Sequence, residues 1–286
     1  MRRRRRRTLR HVLWSALTRL PEFRVTRRTR HGVLGFSNRD HGVGRILFLR
    51  GEYEYEQIER AAAVLHDFPS EGRRWLLDVG ANIGTVCIAF AREGVFTQAL
   101  AVEPAPDTFR HLVKNVAMNN LEPAIRCVNV ALSATSGTAE LELSNNSGDH
   151  RVRVAGPLAP GQYAEHQRSL IRVPVRRLDE LLDERGIDRR DVGLLWMDVQ
   201  GHERHVLEGA SKLLASRVPV VIELWPYGLR RAGVEPAEFV EYLRARFTSY
   251  YDLAHETPSA RSIDELPALL GQLTHVKSYA DVLLRP

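Results

Sequence analysis

One segment constrains the fold of this chain more than any other. The apolar run Trp75-Leu76-Leu77-Asp78-Val79 ends in Gly80-Ala81-Asn82-Ile83-Gly84, after which residues 85–92 read as a helix. A buried strand that stops at glycines and restarts as a helix opens an α/β unit, because glycine admits positive φ and lets backbone approach backbone or ligand closely. Residues 99–103 follow as a second strand, 106–119 as a helix and 125–130 as a third strand. Further strands are expected at 193–199, 218–224 and 280–284, with helices at 203–214 and 236–246. Such alternation implies a mostly parallel sheet with helices on both faces.

The segment 137–176 breaks the pattern. It reads as two strands, 138–143 and 170–175, separated by a polar loop of about 26 residues, longer than a structural link in a compact domain needs. A substrate-covering loop is the expectation. Upstream, Ile46-Leu47-Phe48-Leu49 suggests that residues 31–50 form a short hairpin, and 54–66 a helix with Ile58, Ala61, Ala62 and Leu65 on one face. No repeat or linker divides 31–286, which is therefore expected to be one domain behind a basic arm, residues 1–30.

Charge sharpens that division. The 286 residues carry 41 Lys plus Arg against 35 Asp plus Glu, but twelve arginines and a single acid, Glu22, fall in the first thirty, so the remainder is net acidic. An acidic body argues against nucleic acid as partner. The arm reads as a solvated tail, with contact to an anionic membrane surface as the alternative. Leu9, Val12, Leu13, Ala16, Leu17 and Leu20 recur at helical spacing with Trp14 on the flank, and this short helix is expected to pack on the domain. Arg10, His11 and Arg19 interrupt any apolar signal core, and no stretch reaches the roughly 18 to 20 apolar residues of a spanning helix, so a cytoplasmic protein is expected. Cys87 and Cys127 stand far apart without CxxC spacing, which excludes a disulfide scaffold and a zinc site. The near absence of lysine (Lys114, Lys212 and Lys277) beside so many arginines suggests a GC-rich, bacterial gene.

Open α/β sheets bind ligands at the carboxyl edge, where the glycine turn lies. The dinucleotide pattern G-x-G-x-x-G is interrupted, because Asn82 stands in the place of its second glycine. Glu103, followed by Pro104, ends the second strand, and an acid there can accept both hydroxyls of a ribose, a feature common to NAD and S-adenosylmethionine sites. Asp179 reads as a cap for a helix that begins at Glu180. Asp198 and Glu223 end neighbouring strands, but no third oxygen ligand is evident, so no metal is expected.

Six ordered blocks now carry a resemblance. They are Gly51-Glu52-Tyr53-Glu54, Asp78-Val79-Gly80-Ala81-Asn82-Ile83-Gly84, Val102-Glu103-Pro104, Asn129-Val130-Ala131-Leu132, Val173-Pro174-Val175-Arg176-Arg177-Leu178-Asp179, and Met197-Asp198-Val199-Gln200-Gly201-His202-Glu203 leading to Val206-Leu207-Glu208-Gly209-Ala210. From about residue 51 to 224 the chain resembles the FkbM family of S-adenosylmethionine-dependent methyltransferases. The resemblance implies a Rossmann-like class I fold of seven strands, the last antiparallel, and O-methylation of a hydroxyl on a small molecule or glycan. It also implies a cofactor site of Asp78, Gly80, Asn82, Gly84, Glu103, Pro104, Asn129, Ala131 and Asp198, with Tyr53 and Glu54 at the cofactor's amino-acid end.

Methyl transfer to an alcohol requires aligned reactants and removal of a proton. Asp198, Glu203 and His150 are the candidate bases, with His202 beside Glu203 read as a turn residue. Three other readings remain: an RNA methyltransferase using the arm, a non-catalytic cofactor-binding module, and a dehydrogenase. Against RNA base methylation, Asp198-Val199-Gln200-Gly201 lacks the two prolines and aromatic residue of the base-amine methylases.

Overall fold

The computed structural model describes residues 2–66, 68, 74–154 and 161–286, with side chains described from residue 9 onward. Helix α1 (Arg2–Leu17) precedes a hairpin of β1 (Arg24–Arg28) and β2 (Val33–Ser37), followed by α2 (Val43–Arg50) and α3 (Tyr55–His66). Strands β3 (Trp75–Val79), β4 (Gln98–Val102) and β5 (Ile125–Val128) then alternate with α4 (Thr85–Glu93) and α5 (Pro106–Met118). Strands β6 (Ala131–Leu132), β7 (Gly137–Leu143), β8 (Arg151–Val152) and β9 (Ser169–Arg176) form a separate small sheet. The chain continues with α6 (Leu178–Arg185), β10 (Val192–Met197), α7 (Glu203–Glu208), α8 (Ser211–Ala215) and β11 (Val220–Leu224). It closes with α9 (Pro226–Arg231), α10 (Pro236–Arg244), β12 (Ser249–Asp252), β13 (Arg261–Ser262), α11 (Leu266–Gln272) and β14 (Ala280–Arg285).

The main sheet runs β13-β12-β14-β11-β10-β3-β4-β5, with β14 antiparallel to both its neighbours and the block from β11 to β5 parallel. Seven strands and the two-residue edge β13 thus make a mostly parallel α/β sheet covered by helices. After β3 the chain steps to β4 and β5 on one side, then returns to β10 and β11 on the other. The point between β3 and β10 is a topological switch, where the two connections leave in opposite directions and open a crevice at the strands' carboxyl ends. Both faces of the central strands are buried: Leu77, Val79 and Leu100 pack to one side, Leu76, Ala99 and Ala101 to the other. That explains why β3 reads as a continuous apolar run rather than an alternating one.

Several expectations change. Residues 46–49 lie in helix α2, and the hairpin instead pairs Arg24–Arg28 with Val33–Ser37. A four-residue apolar run has no period by which to separate a strand from a buried helix face. The helix expected over 203–214 is broken after Glu208, because Gly209 lies so close to Ser133 O that a Cβ would sit 2.2 Å from it. Asp179 lies within the first turn of α6 and does not cap it; its carboxylate accepts from the backbone N–H of Lys212 (2.8 Å) and Leu213 (3.0 Å), capping α8 instead.

The arm expectation changes too. Trp14 is 3% exposed and packs on Phe48 and Phe36 at 5.1 and 6.3 Å between ring centroids, while Leu9, Val12 and Leu13 face outward. In the segment 137–176, β7 and β9 pair from Gly137↔Val175 to Leu143↔Ser169, and residues 155–160 of the expected covering loop lie outside the described residues. The loop's return is anchored by Arg151, which donates to Glu142 (3.0 Å) and Glu165 (2.7 Å), all three buried.

Candidate functional site

The crevice at the switch point begins at the β3–α4 turn. Gly80 has φ +80°, and a Cβ there would stand 1.9 Å from the Asp198 carbonyl oxygen, so the turn and the end of β10 touch backbone to backbone. Asn82 follows at φ +49°; its N–H donates to Glu103 Oε2 at 3.0 Å, and its own Oδ1 is buried without a partner. Glu103 Oε1 accepts from Ala105 N–H at 2.8 Å. Each carboxylate oxygen therefore takes one backbone donor and keeps lone-pair capacity for a ligand. Burial pushes Glu103 up to about 7 despite those two bonds.

Gly80, Asn82, Glu103, Pro104, Ala131 and Asp198 line a narrow cavity of about 50 Å³, roofed by Gly148, His150, Arg151 and Val152 from the 137–176 segment. That is room for a few waters. A wider cleft of about 330 Å³ continues past Asp198 and is lined by Tyr53, Glu54, Glu223, Trp225, Lys277 and Tyr279 among others.

The wider cleft is lined by five acids, Glu54, Asp149, Glu165, Asp198 and Glu223, against three cations, Arg151, Arg168 and Lys277. Glu223 and Asp281 sit directly opposite each other on the antiparallel pair β11–β14, an arrangement of like charges that costs stability. Burial raises Glu223 well above its ordinary range, and the charges of Asp198 and Asp281 push it further. Glu54 is raised in the same way, by burial and then by Asp281 and Asp198. Asp281 is pushed up to about 7 and Asp198 to about 6, burial leading in both cases. Glu54, Asp198 and Glu223 line the wider cleft together with Arg151, Arg168 and Lys277, while Asp281 stands across the strand pair from Glu223. Among the described residues no group of three or more His, Cys, Asp or Glu side chains is arranged to hold a metal ion.

Half of the six described non-glycine residues at positive φ, Glu54, Asn82 and Gln200, line these two spaces. Backbone held in this region costs energy and concentrates at ligand sites. His31 fixes the first of them: Nε2 accepts from Tyr53 N–H (3.1 Å) and Nδ1 bonds Thr85 O (2.9 Å), while burial holds the ring neutral at about 4. Gln200 donates to Asp198 Oδ1 at 2.7 Å, and Asp198 lines both spaces.

The remaining expected residues stand behind this front. Asp78 is buried under the turn and accepts from Cys87 N–H at 2.9 Å. Gly84 lets α4 approach α5, since a Cβ would sit 2.9 Å from Leu112 Cδ1. Asn129 clamps the chain after β4 by donating to Glu103 O (2.8 Å) and Pro104 O (3.0 Å). Glu203 is fully buried, lines neither space and accepts from Val199 N–H and Gly201 N–H, fixing the loop that carries Asp198. His150 does line the narrow cavity, but its Nδ1 accepts from Ser144 N–H at 3.0 Å and burial lowers it to about 4. The tautomer assigned by that bond carries its proton on Nε2, which makes His150 a donor rather than a base.

Sequence reasoning missed Asp281, Gln200, Tyr279 and the aromatic cluster Tyr163–Trp225–Tyr227, whose ring centroids lie 5.4 to 5.9 Å apart. A signal existed for the first: a carboxylate inside the otherwise apolar run Ala280-Asp281-Val282-Leu283-Leu284 is costly unless something uses it.

The raised acids make stability depend on pH. Between pH 6.5 and 8.5 the buried histidines, already neutral in the fold, lose their remaining protons only in the unfolded chain, an opposing contribution smaller than that of the acids near 7. Asp78, Glu103, Glu203 and Asp281 are protonated longer in the fold than in the unfolded chain, so the native state binds more protons and loses stability as pH rises. Thermal unfolding without ligand should occur at least about 5 °C lower at pH 8.5 than at pH 6.5. An unchanged or higher midpoint at pH 8.5 would contradict the arrangement.

A mostly parallel sheet whose switch point holds a glycine turn and a strand-end acid defines a Rossmann-like class of α/β protein. Within that class, the chain belongs to the FkbM methyltransferase family, whose domain model matches residues 78–248. It is 29% identical over 204 residues to the hexuronic acid methyltransferase AglP of Haloferax volcanii, covering 70% of this chain and 71% of that protein. It is 29% identical over 181 residues to methyltransferase sdnD of Sordaria araneosa, covering 54% and 68%. It is 31% identical over 146 residues to the 2-O-methyltransferase NoeI of Sinorhizobium fredii, covering 49% and 58%.

Proposed function

We propose that the chain is an S-adenosylmethionine-dependent methyltransferase acting on a hydroxyl oxygen of a small molecule or glycan. The observation that carries the reading is the set of carboxylates, Glu54, Asp198 and Glu223, that lines one cleft contiguous with Glu103 and the glycine turn. S-Adenosylmethionine carries a ribose, an ammonium and a sulfonium that presents an electrophilic methyl group. Glu103 would take the ribose hydroxyls, Ala131 and Pro104 the base, and the carboxylate cluster the positive charge. The orphaned Asn82 Oδ1 and the backbone approach at Gly80 fit a ligand lying along the turn.

On this reading the Asp198 carboxylate takes the hydroxyl proton, and His150 Nε2–H donates from the roof. An acid near 6 is ionised at neutral pH and still basic enough to accept a proton in the transition state. Glu203 acts through the loop it fixes. The acceptor would lie in the wider cleft, where Tyr163 and Trp225 offer ring faces to the C–H surface of a sugar. A hexuronic acid methyltransferase among the relatives supports a sugar as acceptor, and a 2-O-methyltransferase supports oxygen as the methylated atom.

The test is transfer of labelled methyl groups from S-adenosylmethionine into a panel of glycans, glycosides, polyketide alcohols and total RNA, read by a mass gain of about 14 Da. Incorporation at a hydroxyl of a glycan or small alcohol is expected. Incorporation into RNA alone would overturn the acceptor assignment, and binding without transfer to any acceptor would favour a non-catalytic module.

A further inference from the structure

Helix α1 presents two apolar faces, only one of which is used. Arg10, Trp14 and Leu17 face the domain: Arg10 donates to Leu49 O at 3.0 Å, and Trp14 is buried against Phe36 and Phe48. Leu9, Val12, Leu13 and Ala16 follow the i, i+3, i+4, i+7 pattern on another face, and the three large ones are 60, 61 and 47% exposed. Leu20 and Phe23 extend the exposed apolar surface just beyond the helix. Of nine exposed large hydrophobic residues among those described, five lie within residues 9–23, while the other four, Val95, Val113, Leu170 and Tyr279, are scattered through the sequence. Immediately before the apolar face the sequence places six consecutive arginines, Arg2 to Arg7.

We propose that α1 docks the protein on an anionic phospholipid surface, lying in the interface with Leu9, Val12 and Leu13 in the acyl boundary and the arginine run against the headgroups. A helix with clustered cationic residues beside a solvent-facing apolar stripe is suited to that plane, because apolar insertion and attraction to anionic lipid act together. Nucleic acid would satisfy the arginines and leave the stripe in water. A second copy of the chain offers an acidic body, but no comparable apolar cluster among its described residues outside this segment. No described helix is long and apolar enough to cross a membrane.

The test is flotation of the full chain with vesicles of phosphatidylcholine alone or with about 30% phosphatidylglycerol, and it does not depend on the methyl-transfer reading. Partition should be at least about tenfold greater on the anionic vesicles and fall with added salt. The triple variant Leu9→Gln, Val12→Ser, Leu13→Gln keeps every charge and changes only exposed side chains; it should retain the wild-type melting temperature and lose at least about tenfold in partition. Failure of the wild type to float, or undiminished flotation of the folded triple variant, would overturn the proposal. So would a dimer by sedimentation, or an RNA complex, that depends on the same three residues in the absence of vesicle binding.

Discussion

Asp198→Asn is expected to lower the rate of methyl transfer by about a thousandfold, the scale of a lost general base. The substitution is nearly isosteric, Gln200 retains a partner at the amide oxygen, and Glu54 and Glu223 still line the cleft. Affinity for S-adenosylmethionine should therefore change by less than about tenfold, so the loss falls on kcat. The pH profile separates this role from a structural one. Asp198 is held at about 6 by burial, so the wild-type rate should rise through pH 6 as the carboxylate ionises, and that limb should be absent from the residual rate of the variant. A loss below tenfold with the limb intact would move the base elsewhere.

Gly80→Ala should have the second large effect. The added methyl would lie 1.9 Å from the Asp198 carbonyl oxygen, and φ is +80°, so the turn must leave either its conformation or its contact with β10. The obstruction is backbone on both sides and cannot rotate away. A cost of about 2–4 kcal/mol in stability is expected, together with at least about a hundredfold loss in cofactor affinity, because the turn forms one wall of the narrow cavity. Gly94→Ala is the control: φ there is +71° with open space where the Cβ would go, so it carries the conformational strain without the collision. It should cost about 1 kcal/mol and leave binding unchanged. Urea denaturation and cofactor titration of the two variants compare these outcomes; equal effects at both positions would remove the close approach from the account.

The fold was legible where residues declare a period or a break. Trp75–Val79 has the bounds expected of it, and β4, β5, β10, β11 and β14 fall within two residues of theirs, because short, largely apolar runs bounded by turn residues leave little freedom. Strand β12 was not legible, since Ser249-Tyr250-Tyr251-Asp252 is short and half polar and gains its place from pairing with β14. Nor was the identity of the packed face of α1, which depends on Phe36 and Phe48 meeting Trp14.

For the site, the sequence could locate the glycine turn, Glu103 and Asp198, each at a strand end. It could not separate residues facing the cavity from those one layer behind, such as Asp78, Asn129 and Glu203, because side-chain direction at a turn has no period. Long-range register was equally hidden: Glu223 and Asp281 meet only when β14 inserts antiparallel beside β11. The charge of the cleft is a property of that pairing.

The most direct measurement is calorimetric titration of the full chain with S-adenosylmethionine and with NAD at pH 7.5 and pH 5.5. One-to-one binding of S-adenosylmethionine with a Kd on the order of micromolar is predicted at pH 7.5, weakening at least about tenfold at pH 5.5 as the cleft carboxylates take up protons, with no heat from NAD. Binding of NAD in its place, or no binding of S-adenosylmethionine at either pH, would contradict the account.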